Sequence, residues 1–494
     1  MGEHTHLPSQ LGDRAQTAHD ELTSALAGRP LIDFDRHTTG GRVAYTAPVP
    51  VSAARPALSL GCYSPWQPAS PAEAIAAEHG TGERPGGERK HTWWATIADR
   101  AAARIESFGR PPVIAGWYAV PYLHALAGPG GAVAGLPVNV RSQIEDKSAI
   151  GRILRSAQVP TRMIIGARTY RDRLPSLTDM RTQVGSRRIV VQSAHSAGGR
   201  GTVFVNDQSG MHEAAALPGP WRVSAFAEGW SSNTTVLSLP DGNGGVRVYV
   251  DRPSHKAIGV EAVGIGPAKS AGNDWSQPWP TTGVADVIEA ATRIGQWAWR
   301  EHRLTGLWGI DTIWTPAGPV INEINARKQG TTEVSGVNQQ LSGFPPLVVA
   351  HLTAMLHHPV TWLPSPEEFN TATITANAGG VPAPYYLKIR ARQALTLPDD
   401  FPGSGIYRLT GSRLTWDGPG AHPADADSDT GRVLIANAPQ AGTTCPPGAE
   451  LATAEGITTG AASPFAGPAE LSPHGRTLLA AIDSLTNHNE GTNR

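Results

Sequence analysis

The chain has 494 residues, 40% of them hydrophobic, and a formal net charge of −1. That length exceeds one ordinary core and predicts about two to four domains. The near-neutral charge gives no basic footprint for nucleic acid, and no apolar run reaches a bilayer-spanning length.

Two cysteines, Cys62 and Cys445, cannot build a disulfide framework and point to a reducing, cytoplasmic setting. The opening MGEHTHLPSQ carries no signal-peptide core, and His6 stands where a myristoylation signal needs Ser or Thr. There are six lysines against 35 arginines. Arginine is therefore the default surface cation, which makes each lysine worth locating.

Residues 1–30 are polar, with a helix expected over 15–26. Residues 31–140 mix strand-like runs (57–60, 112–115) with an amphipathic helix over 91–108, where Trp94, Ile97, Ala101 and Ile105 share a face. This alternation predicts an α/β domain over 1–140. A helix is expected from 146 to 157, stopped by Val159-Pro160. Residues 160–225 alternate strand and helix signals. A helix over 286–302 places Val287, Ala290, Ile294, Trp297 and Ala298 on one face. From Pro364 onward Pro, Gly, Asp and Ser rise, and short β-runs follow at 385–389, 405–409 and Arg432–Ala436, before a last helix over 475–486. This shift predicts a separate β-rich C-terminal domain over 365–494, leaving 141–364 as the central domain.

Three stretches carry chemistry. Asp146-Lys147-Ser148 opens a helix, where a lysine can join free backbone N–H groups on a phosphate. The strand-like Arg188-Ile-Val-Val-Gln192 runs into Ser193-Ala-His-Ser-Ala-Gly198-Gly199-Arg200-Gly201-Thr202. Glycines there let N–H groups close over phosphate oxygens, although most isolated glycine-rich turns are ordinary hairpins. The third stretch is the most specific: GLWGIDTIWTPAGPVINEINARKQGTTE, from Gly306 to Glu333. It reads as a strand ending in Asp311, a turn at Pro316-Ala317-Gly318, and a second strand that delivers Glu323, Asn325 and Arg327 two apart on one face. A hairpin would bring Asp311 beside Glu323 and Asn325. Two carboxylates and an amide oxygen make a hard-oxygen cluster suited to Mg²⁺ against phosphates, and Arg327 adds a fixed positive charge. Asp425, Asp427 and Asp429 mimic a calcium loop, but Gly431 is one position late and Ala436 fills the slot of the closing acid, so an acidic turn is expected.

The segment "NEINAR", with Asp311 twelve residues before Glu323 and Gln329-Gly330-Thr331 after, resembles the closing motif of the ATP-grasp superfamily. The "DK" pair at Asp146-Lys147 and the strand–loop–strand at 188–202 resemble its upstream motifs, so the resemblance spans roughly residues 140–335. It implies an α/β (α+β) chain: a pre-ATP-grasp α/β domain, an ATP-grasp core with its lid at about 160–225, and the C-terminal β-rich domain. The cofactors it implies are ATP and Mg²⁺, the metal on Asp311, Glu323 and Asn325. Arg327 would steady an acyl phosphate and its oxyanion. Lys147 and the loop Gly198, Gly199, Arg200 and Gly201 would contact phosphates. Gln192 stands where many members carry lysine, and Arg200 is a candidate for the missing cation. Trp221 to Gly229 resembles the family's hinge, which would set Ser224, Ala225, Phe226 and Ala227 at adenine and Glu228 near ribose. Arg252 and Lys256 would lie over the γ-phosphate and the carboxylate substrate, with Gly272 to Trp275 and Trp279 at the substrate pocket. The layout, with "VLIANAP" and "PPGAEL" in the tail, looks similar to the pheganomycin-type peptide ligases of antibiotic biosynthesis. The implied activity is ADP-forming ligation of a small-molecule carboxylate to an amine, an amino acid or peptide, with no nucleic-acid or membrane partner and a homodimer admitted. Kinase or carboxylase use of the same fold, or non-catalytic nucleotide binding, are the alternatives.

Overall fold

In the computed structural model of this chain, residues 7–34, 41–64, 74–78, 99–196, 198–377 and 380–487 are described. The N-terminal part is a five-stranded sheet in the order Ala74–Glu78, Leu58–Ser64, Leu31–Phe34, Val113–Gly116, Ala132–Ala134. Each neighbouring pair is parallel. Every residue of Leu31–Phe34 and Val113–Gly116 is buried, as strands covered on both faces require. The helix Leu11–Leu26 begins earlier than expected and buries Leu11, Ala15, Ala18 and Leu22 at helical spacing. Of the helix expected at 91–108, residues 99–106 are helical. Ala101 and Ile105 pack against Ile32, Leu60 and Ile114, while Trp94 and Ile97 lie outside the described residues.

A four-stranded antiparallel sheet follows, ordered Ala167–Tyr170, Trp221–Ala225, Ile189–Ser193, Thr202–Val205. Helices Leu177–Val184 and Gln208–Ala215 cover it, their first turns capped by the side chains of Ser176 and Asp207. Met180, Ile189, Val191, Val205, Ala214 and Val223 give this flap its own small core.

The centre is an eleven-stranded sheet. From one edge it runs Gly318–Asn325, Gly306–Thr315, Trp230–Pro240, Ser254–Ile258, Ser270–Asp274, Ala383–Arg390, Glu450–Thr458, Arg432–Ala436, Gly405–Thr410, Arg413–Gly418, with Val246–Val250 also paired to Trp230–Pro240. The helix Thr281–His302 lays Val287, Ala290, Ile294 and Trp297 on one side of this sheet, against Val236, Val248 and Ile310. The sheet does not break at Pro364. Strand Ala383–Arg390 bonds directly to Ser270–Asp274, with Asn273 opposite Tyr386. The composition shift marks turns and the helix Pro366–Ala376, whose Thr373 Oγ1 donates to Val250 O at 2.9 Å. A buried cation also ties the ends of the chain together. Arg42 meets Glu455 Oε2 at 2.6 Å and Glu333 Oε1 at 3.0 Å.

Candidate functional site

The two strands Gly306–Thr315 and Gly318–Asn325 form an antiparallel hairpin, with Asp311 opposite Glu323 and Gly309 opposite Asn325. The first strand does not end at Asp311; it continues to Thr315 through a bulge just after that residue. The bulge re-aims the carboxylate at a site edge. Each acid already holds a lysine. Lys256 Nζ lies 2.6 Å from Asp311 Oδ2, and Lys147 Nζ lies 2.9 Å from Glu323 Oε1. Burial acts to lower the Lys256 ammonium, but Asp311 outweighs it and the group sits above its ordinary value. Asn233 Nδ2 donates to Asp311 Oδ1 at 2.6 Å, and Thr331 Oγ1 donates to Asn233 Oδ1 at 2.7 Å. Arg327 Nε meets Glu145 Oε1 at 3.2 Å. Burial raises the Glu145 carboxyl, while Arg327 and Arg141 act to lower it.

These groups line one cleft of about 1260 Å³ between the flap, the central sheet and the carboxyl ends of the N-terminal strands. Phe34, Trp117 and Tyr118 come from those strand ends. Lys147, Lys256, Lys269 and Lys388 all line it, four of only six lysines in the chain. The scarce cation is thus concentrated at one place, which singles this cleft out from the arginine-studded surface. Lys147 is buried, and its Nζ also donates to Ser196 O at 2.6 Å, joining the glycine-rich turn to the hairpin. Lys147 precedes the helix rather than opening it. That helix is Ile150–Ser156, because Asp146 Oδ1 instead accepts from Ser148 N at 2.8 Å and Ser148 Oγ at 2.6 Å. Gly198, Gly199 and Arg200 line the cleft. Gly199 has φ +77°, and a Cβ there would sit 2.2 Å from Ala268 O, so the turn closes tightly on the loop opposite.

Gln192 is buried and lines the cleft. Its partner is Arg222, whose Nη1 donates to Gln192 Oε1 at 3.0 Å. Arg200 is exposed at the rim. In the hinge, Ser224, Ala225, Phe226 and Ala227 line the cleft. The N–H groups of Ala225 and Phe226 are spent on Gly166 O and Arg188 O, at 3.1 and 3.0 Å. The Arg188 guanidinium stacks 3.9 Å over the Phe226 ring and pairs with Glu228.

Seven expected site residues do not line the cleft: Gly201, Glu228, Arg252, Gly272, Asp274, Trp275 and Trp279. Glu228 is 77% exposed and turned toward Arg188. Gly201 packs inside the turn, where a Cβ would meet Ser196 Oγ at 2.5 Å. Arg252 is buried away from the cleft, near Asp274 and Asp251, and burial pushes its guanidinium down to about 10. In the stretch Gly272 to Trp275 only Asn273 reaches the cleft; Asp274 accepts from Ser463 Oγ, and Trp275 joins a core with Val334 and Tyr386. Trp279 stacks on Trp314, ring centres 4.5 Å apart. The Asp425–Asp429 stretch links two short 3-10 helices, Pro423–Asp425 and Ser428–Thr430, and Asp429 accepts from Thr458 Oγ1 and Thr459 N. Glu145, Asn233 and Arg222 are the residues that reading the chain missed. Glu145 flanks the "DK" pair, and Asn233 sits in an unusually polar strand centre, SSNTT. Those are the only local marks they carry.

No protein-family model matches this sequence, and no curated protein sequence is similar to it. Solved structures share its architecture. Carboxyaminoimidazole ribonucleotide synthase from Aspergillus clavatus, complexed with ATP, has a TM-score of 0.50 at 13% identity, over 93% of this chain and 98% of that one. The biotin carboxylase domain of 2-oxoglutarate carboxylase from Hydrogenobacter thermophilus, with MgADP and bicarbonate, has a TM-score of 0.52 at 14% identity, over 86% and 85%. The chain has the ATP-grasp fold. Biotin carboxylase from Campylobacter jejuni shares that ATP-grasp fold, with a TM-score of 0.52 at 13% identity, over 87% of this chain and 88% of that one. At such identities the likeness is one of fold. No described helix is long and apolar enough to cross a membrane.

Proposed function

We propose that the chain is an ATP-dependent ligase that activates a carboxylate as its acyl phosphate and passes it to an amine, releasing ADP and phosphate. One observation carries this reading: Asp311, Glu323 and Asn325 on one hairpin line the same cleft as Lys147, Lys256, Arg327 and the glycine-rich turn. The donor set fits magnesium, since all three are hard oxygen ligands and the two carboxylates are already held by cations. Magnesium on these residues would neutralise phosphate charge. Lys147 and the amides of the turn would hold the phosphates, with Lys256 toward the γ-phosphate. The stacked Phe226–Arg188 pair offers a flat face that suits a purine. A substrate carboxylate oxygen attacks the γ-phosphorus and ADP leaves. The amine then attacks the acyl carbon, loses a proton, and phosphate leaves. Arg327, braced by Glu145, stabilises the oxyanion. The turn at Gly198 to Arg200 excludes water that would hydrolyse the acyl phosphate.

The amine is read as an amino acid or peptide, and the pathway as peptide natural-product assembly, from the resemblance to pheganomycin-type ligases. A carboxylase is the second reading, favoured by the carboxylase identity of solved structures that share the fold. Both begin with transfer of the γ-phosphoryl group to an oxygen, that of the substrate carboxylate in a ligase and that of bicarbonate in a carboxylase, with ADP leaving. ADP release screened over amino acids and peptides, with and without bicarbonate, separates them. Hydroxylamine should trap a hydroxamate, and ¹⁸O from the substrate carboxylate should appear in phosphate. Label in AMP would overturn both readings. Arg327→Ala should cost about 10²–10³ in amide formation and leave ATP binding largely intact.

A further inference from the structure

Gln192 and Arg222 lie directly opposite one another on adjacent strands of the flap. Arg222 is 2% exposed. Its Nη1 donates to Gln192 Oε1 at 3.0 Å and to the backbone oxygen of Asn322 at 2.9 Å. Asn322 immediately precedes Glu323, so this one guanidinium joins the flap to the hairpin that carries the acidic cluster. A guanidinium has donors only, so it must face the amide oxygen of Gln192. The amide N–H donors then point away from Arg222, and Gln192 Nε2 lies 3.4 Å from Thr202 Oγ1 beside the glycine-rich turn.

Arg222 is costly as a purely structural residue. Burial pushes it down to about 10, with Glu323 acting in the opposite direction, so it stays charged at neutral pH. Its Nε is buried without a hydrogen-bond partner, and it makes no ion pair among the described residues. An apolar side chain of similar volume would avoid that desolvation.

We propose that Arg222 is a positioning residue of the nucleotide subsite. It locks the Gln192 amide with its N–H donors toward the phosphates, and supplies from behind the positive charge that a lysine at position 192 would carry. A lysine there would press an ammonium against the guanidinium, whereas the glutamine oxygen accepts from it. This inference rests on the ATP-dependent reading above.

The test is charge relocation in the full-length protein. Binding of Mg-ADP and of Mg-ATP is measured by calorimetry for wild type, Arg222→Met, Gln192→Lys and the double variant Gln192→Lys/Arg222→Met. Each single change should weaken binding by about tenfold or more, the loss of one charged hydrogen bond. The double variant should recover most of that loss, because the cation has moved by one residue. In turnover, Arg222→Met should raise KM for ATP far more than it lowers kcat. Thermal unfolding of each variant is recorded alongside, so a loss of fold is separated from a loss of binding and the rescue of Gln192→Lys by Arg222→Met is readable. A double variant no tighter than the weaker single, or Arg222→Met binding as wild type does, overturns the inference and leaves the enzyme reading standing. Wild-type protein that binds no nucleotide overturns the enzyme reading, and this inference with it.

Discussion

Asp311→Asn is the sharpest perturbation of the acidic cluster. The change keeps the shape and the oxygen that accepts from Asn233 Nδ2 at 2.6 Å, but removes the charge that faces Lys256 Nζ at 2.6 Å. Removing one partner of a fully buried ion pair costs about 3–5 kcal/mol. The Lys256 side chain is 24% exposed against 9% for Asp311, so water recovers part of the loss and about 2 kcal/mol is expected. Thermal scanning should show a midpoint lowered by a few degrees. The effect on metal should be larger, because a full ligand charge is lost. Calorimetric titration of Mg²⁺ in the presence of ADP should show affinity reduced by at least about tenfold. Lys256→Met serves as the companion. It breaks the same ion pair but spares the carboxylate, so it should lower the midpoint while retaining the Mg²⁺ response. Asp311→Asn with an unchanged Mg²⁺ titration would refute the assignment of the hairpin as the metal edge.

Two further outcomes follow from buried charge. Arg42→Met should destabilise the protein by about 3–5 kcal/mol, since Glu455 is left buried without its cation; adding Glu455→Gln should restore part of this in chemical denaturation, and an unchanged midpoint in the single variant would contradict the pairing. His255 packs between Trp230 and Phe465 with Nε2 buried and unpartnered, and burial pushes its imidazole down to about 3. The unfolded chain takes up that proton near 6.5 and the folded one does not, so the stability His255 provides is complete above 6.5 and is lost as pH falls toward about 3. His255→Phe keeps the ring contacts and removes the titration. Its stability relative to wild type should therefore rise by about 1.4 kcal/mol for each pH unit that the pH falls below 6.5, and a pH-independent difference would show that His255 takes up its proton in the fold as it does in the unfolded chain.

The amino-acid sequence by itself determined what is local. The Pro316-Ala317-Gly318 turn and the spacing from Asp311 to Glu323 and Asn325 define one hairpin, because turn residues and a period of two fix register over a short loop. The apolar face of Thr281–His302 was legible for the same reason, at a period of 3.6. Tertiary structure alone decided what that edge faces. Arg222 is about 100 residues from Asn322, and Lys256 is 55 from Asp311. Pairing across such separations leaves no periodic mark in the chain. Arg252 shows the converse: a cation just past a strand looks like a surface contact for phosphate, yet the fold buries it by Asp251 and Asp274. The joining of Ala383–Arg390 to Ser270–Asp274 was likewise hidden, since backbone hydrogen bonds between distant strands carry no side-chain code. Tyr386, Lys388 and Arg390 reach the cleft because that long-range pairing turns their face inward and buries Tyr385, Leu387 and Ile389 behind it.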